Sequence, residues 1–388
     1  MQAKIESKTC FELVLSPKLF SKPDPDILTS LFRMLSLQNC NVFHLQLVEE
    51  IDRSFSHRTE ESQSVFLFVL EVLTANTSIV SVNFSSFPCS SHLVTQLADV
   101  FSANRFIVSL NLSHCALDDN CMILLSRGLR TQGIIHTLDV SSNHFGAKGL
   151  TSLVKIIKYC SHLTVLSLNK LARVDSGHKS LFESLLHANL QSLSMQATNI
   201  TMEAGLILCK VLLQIDGLSY LNISHNELGS SFGDAFRKVI STNSSLTHVN
   251  VSCCGIGDRR SKWISALRFN FSLLSLQCLD WSSRERSSFG QEIEESKFEE
   301  QLFSLLERNG QYNQVWCKVS LGLVLNRRMS KQHEDLIVSV TDTNLCKMKA
   351  FGLILQMCDI SPTSSGIATS VPLILSRSPF SAQISEEE

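Results

Sequence analysis

The chain has 388 residues, 44% of them hydrophobic and 18% charged, which supplies a large core and excludes global disorder. Its 34 Lys and Arg against 36 Asp and Glu leave a formal charge of -2, so electrostatics gives no case for nucleic acid or an anionic membrane as the main partner. The 13 cysteines are odd in number and contain no CxxC pair, which argues for reduced thiols rather than a disulfide framework.

The N-terminal stretch MQAKIESKTCFELVL lacks the unbroken apolar core of a signal peptide. The most apolar windows, SVFLFVLEVL and VSLGLVL, are too short to span a bilayer. A cytoplasmic protein without membrane insertion is expected, with a nuclear or cytoskeleton-associated place as the variant. Two phrases, CFELVL from Cys10 and VFHLQL from Val42, each have the apolar spacing of a short strand. They read as degenerate repeats forming an N-terminal cap over residues 1–78, with SFSHRTEESQ (54–63) as an inserted loop.

From Ile79 a pattern apolar-x-x-apolar-x-apolar restarts at Ile107, Ile135, Leu163, Leu190, Leu218, Leu246 and Leu273, at steps of 27 or 28 residues. Alternation over so few residues predicts a strand of about three residues with one inward face. Downstream in each unit the period becomes four, as in Leu97 and Phe101, Leu125 and Leu129, or Phe236 and Ile240, which predicts a helix with one apolar stripe. Asn76, Asn104, Asn243 and Asn270, three residues before a restart, are expected to end helices in a left-handed conformation. One unit cannot bury its own apolar face, so about eight units over 79–283 must stack and stabilise one another. Residues 284–311 contain FEEQLFSLLERNG, a capping helix expected to stop at Asn309-Gly310, and 312–388 ends in a Ser- and Pro-rich tail.

The phrase resembles the leucine-rich repeat, and the unit length with its long helix resembles the ribonuclease-inhibitor-like class. The closing Asn or Cys of that repeat is present as Cys115, Asn143, Asn226 and Cys254 and is replaced by Phe87, Leu171, Thr198 and Trp281. The resemblance implies an α/β solenoid with a curved parallel sheet inside, helices outside, and a hydrogen-bonded ladder broken at the replaced positions. It also implies a non-enzymatic scaffold for a protein partner, with no cofactor, metal or small-molecule substrate. Some relatives activate small GTPases through a rim arginine, a role for which Arg173 is the counterpart, and others belong to actin- or cilium-associated structures. No GxGxxG, P-loop, HExxH or GxSxG motif supports an enzyme.

Between the inward residues of each strand, side chains are expected on the concave face. Four residues after each restart come Asn83, Asn111, Asp139, Ser167, Ser194, Asn222 and Asn250; two after come Ser81, Ser109, Thr137, Val165, Ser192, Tyr220 and His248. Seven after come His114, Lys170, Ala197 and His225. This lining is small, neutral and rich in hydroxyls and amides. Interfaces centre on rigid aromatic side chains, which singles out Tyr220 with His225 and His248, and adds Lys170, Asp139 and His114 as polar contacts. The Asn-x-Ser/Thr triplets at Asn83, Asn111, Asn222 and Asn250 read as a by-product of the repeat rather than glycosylation sites.

Overall fold

The computed structural model describes residues 11–15, 35, 42–47, 59–171, 176–256, 260–278 and 300–311. The chain divides into two compact units, Met1–Val211 with Asn222–Glu227 and Leu212–Leu221 with Leu228–Glu388.

The first unit opens with two paired parallel strands, β1 (Phe11–Leu15) and β2 (Val42–Leu47), followed by α1 (Thr59–Ala75). The degenerate phrases therefore do form strands. Residues 59–63 belong to α1 rather than to an inserted loop, and residues 54–58 lie outside the described residues. The apolar run after them gives α1 the stripe Val65, Phe66, Val69, Leu70, Val72 and Leu73, all buried, and Phe66 lies tilted against Phe84 at 4.7 Å and stacked on Phe87 at 5.0 Å.

Strand and helix then alternate: β3 (Ser81–Asn83), α2 (Ser91–Ala103), β4 (Ser109–Asn111), α3 (Asp119–Gln132), β5 (Thr137–Asp139), α4 (Ala147–Tyr159), β6 (Val165–Ser167), α5 (His178–Ser184) and β7 (Ser192–Ser194), then α6 (Met202–Leu212). Leu185 of the spaced pair Leu181–Leu185 falls in a 3-10 turn rather than in α5. The strands pair in chain order, all parallel, with Ser81 opposite Ser109, Ser109 opposite Thr137, Thr137 opposite Val165 and Val165 opposite Ser192. No shift accumulates, so each position of the repeat forms a row across the sheet. Only the central side chain of each strand in β3 to β6 is turned to the helices, which bury Val82, Leu110, Leu138 and Leu166.

The second unit contains the start of β8 (Tyr220–Asn222), α7 (Gly229–Thr242), β9 (His248–Asn250), α8 (Arg260–Arg268), β10 (Ser275–Gln277) and a helix over 300–311. β9 and β10 pair in parallel with His248 opposite Ser275. The 300–311 helix runs through Asn309-Gly310 instead of stopping there. Asn309 is fully buried, its Nδ2 donating to the Leu273 carbonyl at 2.7 Å, and the Arg308 guanidinium donates to the Leu267 and Asn270 carbonyls at 3.1 and 2.6 Å. An anchored asparagine has no need to take the left-handed end position.

The same economy governs the asparagines before the restarts. Asn104 and Asn243 are extended, with φ -77° and -71°, so the expected left-handed helix ends are not formed. Each is buried, and its side chain bridges neighbouring repeats. Asn104 Oδ1 accepts from the Phe106 and Ile107 amides at 2.8 and 3.1 Å while Nδ2 donates to the Leu73 carbonyl at 2.7 Å. Asn243 accepts from Ser245 and Leu246 and donates to Leu212, all in the second unit. The gain is a satisfied buried turn, which outweighs the local preference for a left-handed cap. Asn76 and Asn270 do likewise, so bridging asparagines recur in both units.

The ladder expected at the closing position is also present, and it is broken at Phe87 and Leu171, while Thr198 still donates to Asn226 of the next repeat. Asn143 Oδ1 accepts from the Cys115 and Leu117 amides, both at 3.0 Å, and Nδ2 donates to the Leu112 and Val140 carbonyls, both at 2.8 Å. Asn226 repeats this geometry with Thr198, Ile200, Met195 and Ile223. Phe87 and Leu171 are buried apolar side chains at the same position and make no such bridge.

Candidate interaction surface

On the sheet face turned away from the helices, the fourth position has an internal task. Asn83, Asn111 and Asp139 each use Oδ1 to accept the backbone N–H two residues on, from Ser85, Ser113 and Ser141, at 2.9 Å in every case. Asn222 and Asn250 cap Ser224 and Ser252 in the same way, and there the serine hydroxyl also donates to the asparagine. This is an Asx turn ending β3, β4, β5, β8 and β9, and it explains why Asn-x-Ser recurs.

The seventh position turns the chain. Ser86, His114, Ser142, Lys170, Ala197, His225 and Cys253 all have φ between 52° and 65°. A non-glycine residue in this left-handed region costs about 1–2 kcal/mol. What holds it in place is the next repeat: within the first unit the amides of His114, Ser142, Lys170 and Ala197 donate to the carbonyls of Ser141, Asn169, Gln196 and Ser224 at 2.7–3.0 Å. No glycine occupies these seven positions, so composition gave no sign of the turn. The recurrence of one offset was the available signal.

The candidate residues divide between the units. In the first, His114 and Lys170 are exposed on left-handed turns, Asp139 is half-buried at the end of β5, and His225 is exposed on its own turn. His114 and Asp139 are linked through Ser141, whose carbonyl accepts from the His114 amide and whose amide donates to Asp139. In the second, the Ser219 carbonyl accepts from Thr247 and His248 at 2.8 and 3.0 Å. The same pair of bonds accompanies Ser109 opposite Thr137, so Tyr220 stands opposite His248. Tyr220 is 39% exposed, and His248 is exposed with its Nδ1 2.9 Å from the Thr247 hydroxyl. Arg173 lies outside the described residues, as do Trp281, 282–299 and 312–388.

Other groups were not singled out from the sequence. His178 is buried with its Nε2 unpartnered among the described residues, and burial holds its imidazole below the usual histidine range, partly offset by a hydrogen bond to the Thr198 backbone. Cys89 is raised far above the ordinary thiol range, first by its hydrogen bond with the Cys115 thiol and then by burial. Burial also pushes Cys160 up to about 11 and Cys209 up to about 12, which keeps them protonated and inert. Cys115, Cys254 and Cys278 are buried, as the register required. The exposed rings of His136 and His162 lie 5.5 Å apart, and Arg130 covers the Tyr159 ring at 4.3 Å. Among the described residues no group of three or more His, Cys, Asp or Glu is placed to hold a metal ion, and no helix is long and apolar enough to cross a membrane.

A family model described as Leucine Rich repeat matches residues 103–126, 135–154 and 242–259. The human NACHT, LRR and PYD domains-containing protein 13 is 31% identical over 134 residues, which is 34% of this chain and 13% of that protein, so the chain spans only a small part of this relative. The leucine-rich repeat-containing protein LegL7 from Legionella pneumophila is similar over 76% of this chain and 90% of its own, at 15% identity and a TM-score of 0.47. The tropomodulin C-terminal domain of Caenorhabditis elegans covers 42% of this chain and 95% of its own, at 16% identity and a TM-score of 0.35. Structural likeness at these values carries no argument about activity. The repeating phrase, the parallel strands in register, the asparagine ladder and the matching family model agree: the chain is a leucine-rich repeat protein.

Proposed function

We propose that the chain is a non-enzymatic, cytoplasmic protein-binding scaffold of the ribonuclease-inhibitor-like class, and that its partner meets the sheet face. The observation that carries this reading is the division of labour within each repeat. Helices cover one side of the sheet, and the other side keeps a regular, half-exposed lining of Ser, Thr and Asn whose backbone groups are already satisfied. Such a face is rigid before a partner arrives, which lowers the ordering cost of binding. In the second unit Tyr220 and His248 supply the rigid aromatic area that interface centres favour.

The test is to recover partners by proximity labelling in the native cell and to measure their affinity for Tyr220→Ala with His248→Ala. At least tenfold weaker binding with an unchanged melting temperature is expected. Unaltered binding of every partner would move the site to the helices or the loops.

A further inference from the structure

On the first unit the sheet face carries a row whose hydrogen-bonding sense is set by the fold. Asn83 is opposite Asn111 and Asn111 is opposite Asp139 in the parallel pairing, so the three side chains stand about 4.8 Å apart across β3, β4 and β5. Each has its Oδ1 committed to the amide two residues on. With that oxygen engaged, the donor each asparagine has left is its Nδ2, and neither Nδ2 has a hydrogen-bond partner among the described residues. Both asparagines are half-buried and remain reachable from solvent. The row therefore reads donor, donor, acceptor. His114 is exposed on the turn that follows β4, and Lys170 on the turn that follows β6, beyond Asp139.

We infer that the sheet face of the first unit selects an acidic, extended segment of a partner protein, laid across the strands so that successive carboxylates meet Asn83 and Asn111. This rests on the reading of the sheet face as the binding surface and adds the chemistry of what it binds. A carboxylate is the acceptor for which two unpartnered amide donors are complementary, because charge-assisted hydrogen bonds are stronger than neutral ones. Asp139 fixes the register. A carboxylate facing it would meet a like charge, so the acidic groups end at Asn111 and the segment continues with an uncharged residue.

The full-length protein is titrated into a fluorescein-labelled poly-Asp peptide at low salt, with poly-Lys and poly-Ser peptides as controls, and anisotropy is read. Asn83→Asp and Asn111→Asp keep the oxygen that caps each turn and replace the unpartnered donor by an acceptor. Asp139→Asn lengthens the donor row. Each asparagine substitution is expected to weaken poly-Asp binding about tenfold, equivalent to about 1.4 kcal/mol, and Asp139→Asn to tighten it, with melting temperatures unchanged. Failure of poly-Asp to bind, equal or tighter binding of poly-Lys, or unchanged affinity in the Asn83→Asp, Asn111→Asp double variant would overturn the inference. A separate variant, Ser109→Trp, places bulk on the same face without altering the row. Loss of partners recovered by labelling in Ser109→Trp, with poly-Asp binding indifferent to the asparagines, would sink the acidic preference and leave the sheet face standing. Retention of every partner in Ser109→Trp would sink both.

Discussion

Replacing Asn143 by Ala probes the ladder between two consecutive repeats of the first unit. The side chain is 2% exposed, and its two acceptor bonds to Cys115 and Leu117 and two donor bonds to Leu112 and Val140 all close within 3.0 Å. Alanine removes all four and leaves two amides and two carbonyls without their side-chain partner. At about 1 kcal/mol net for each bond, the loss of unfolding free energy comes to roughly 4 kcal/mol. Asn83→Ala is the internal control: it removes one capping bond from the Ser85 amide at a half-buried position where water replaces the lost acceptor, at a cost of about 0.5–1 kcal/mol. Urea unfolding followed by far-UV circular dichroism, with wild type and both variants fitted to one slope, measures the difference. A loss below about 1 kcal/mol for Asn143→Ala, or equal losses for the two variants, would refute the bridging role.

Gly128→Ala on α3 should cost about 1–3 kcal/mol, because the added Cβ would sit 2.7 Å from the Ala98 Cα on the neighbouring helix; a melting temperature equal to wild type would contradict this close approach. His178 has a folded pKa below its unfolded value near 6.5, so the unfolded chain binds the proton more readily and stability, complete above about pH 6.5, is lost as the pH falls through the folded value. His178→Phe should flatten that acid limb in a series of melts between about pH 7.5 and 5, and parallel curves for the two proteins would exclude His178 as the cause. Arg308→Ala with Asn309→Ala strips the donors from the Leu267, Asn270 and Leu273 carbonyls and should lower stability by about 1–3 kcal/mol; an unchanged thermal melt would mean that the 300–311 helix does not hold the end of its unit.

The repeat was legible because its apolar positions are fixed by burial alone. Every first, second and third inward residue from Ile79 to Cys278 is buried, and so is each helical pair such as Leu97 with Phe101. The same periodicity located β1 and β2 in degraded phrases. What the sequence did not disclose depends on hydrogen bonding between residues some 28 positions apart. Asn104 and Asn143 are the same residue type, and only their partners, Leu73 in one case and Cys115 with Leu117 in the other, distinguish a helix-end bridge from a ladder rung. The left-handed turns were hidden for a related reason: Lys170 and Ala197 have no local preference for positive φ, and the bond to the neighbouring repeat imposes it. Asp139 looked like a free acid on the lining and is instead half committed to its own turn. Start signals were also weaker than burial patterns, since α1 begins at Thr59 within a stretch that reads as a polar loop.

Hydroxyl-radical footprinting of the protein alone and with a partner recovered by labelling tests the central claim most directly. Tyr220 and His248 report on the sheet side of the second unit, while Tyr159, 54% exposed at the end of α4, and Met202, 42% exposed at the start of α6, report on helix ends away from the strands. The account predicts protection from oxidation at sheet-face residues, Tyr220 and His248 or His114 and His225, with Tyr159 and Met202 oxidised as in the free protein. Protection confined to Tyr159 and Met202, with the sheet-face residues unchanged, would contradict it.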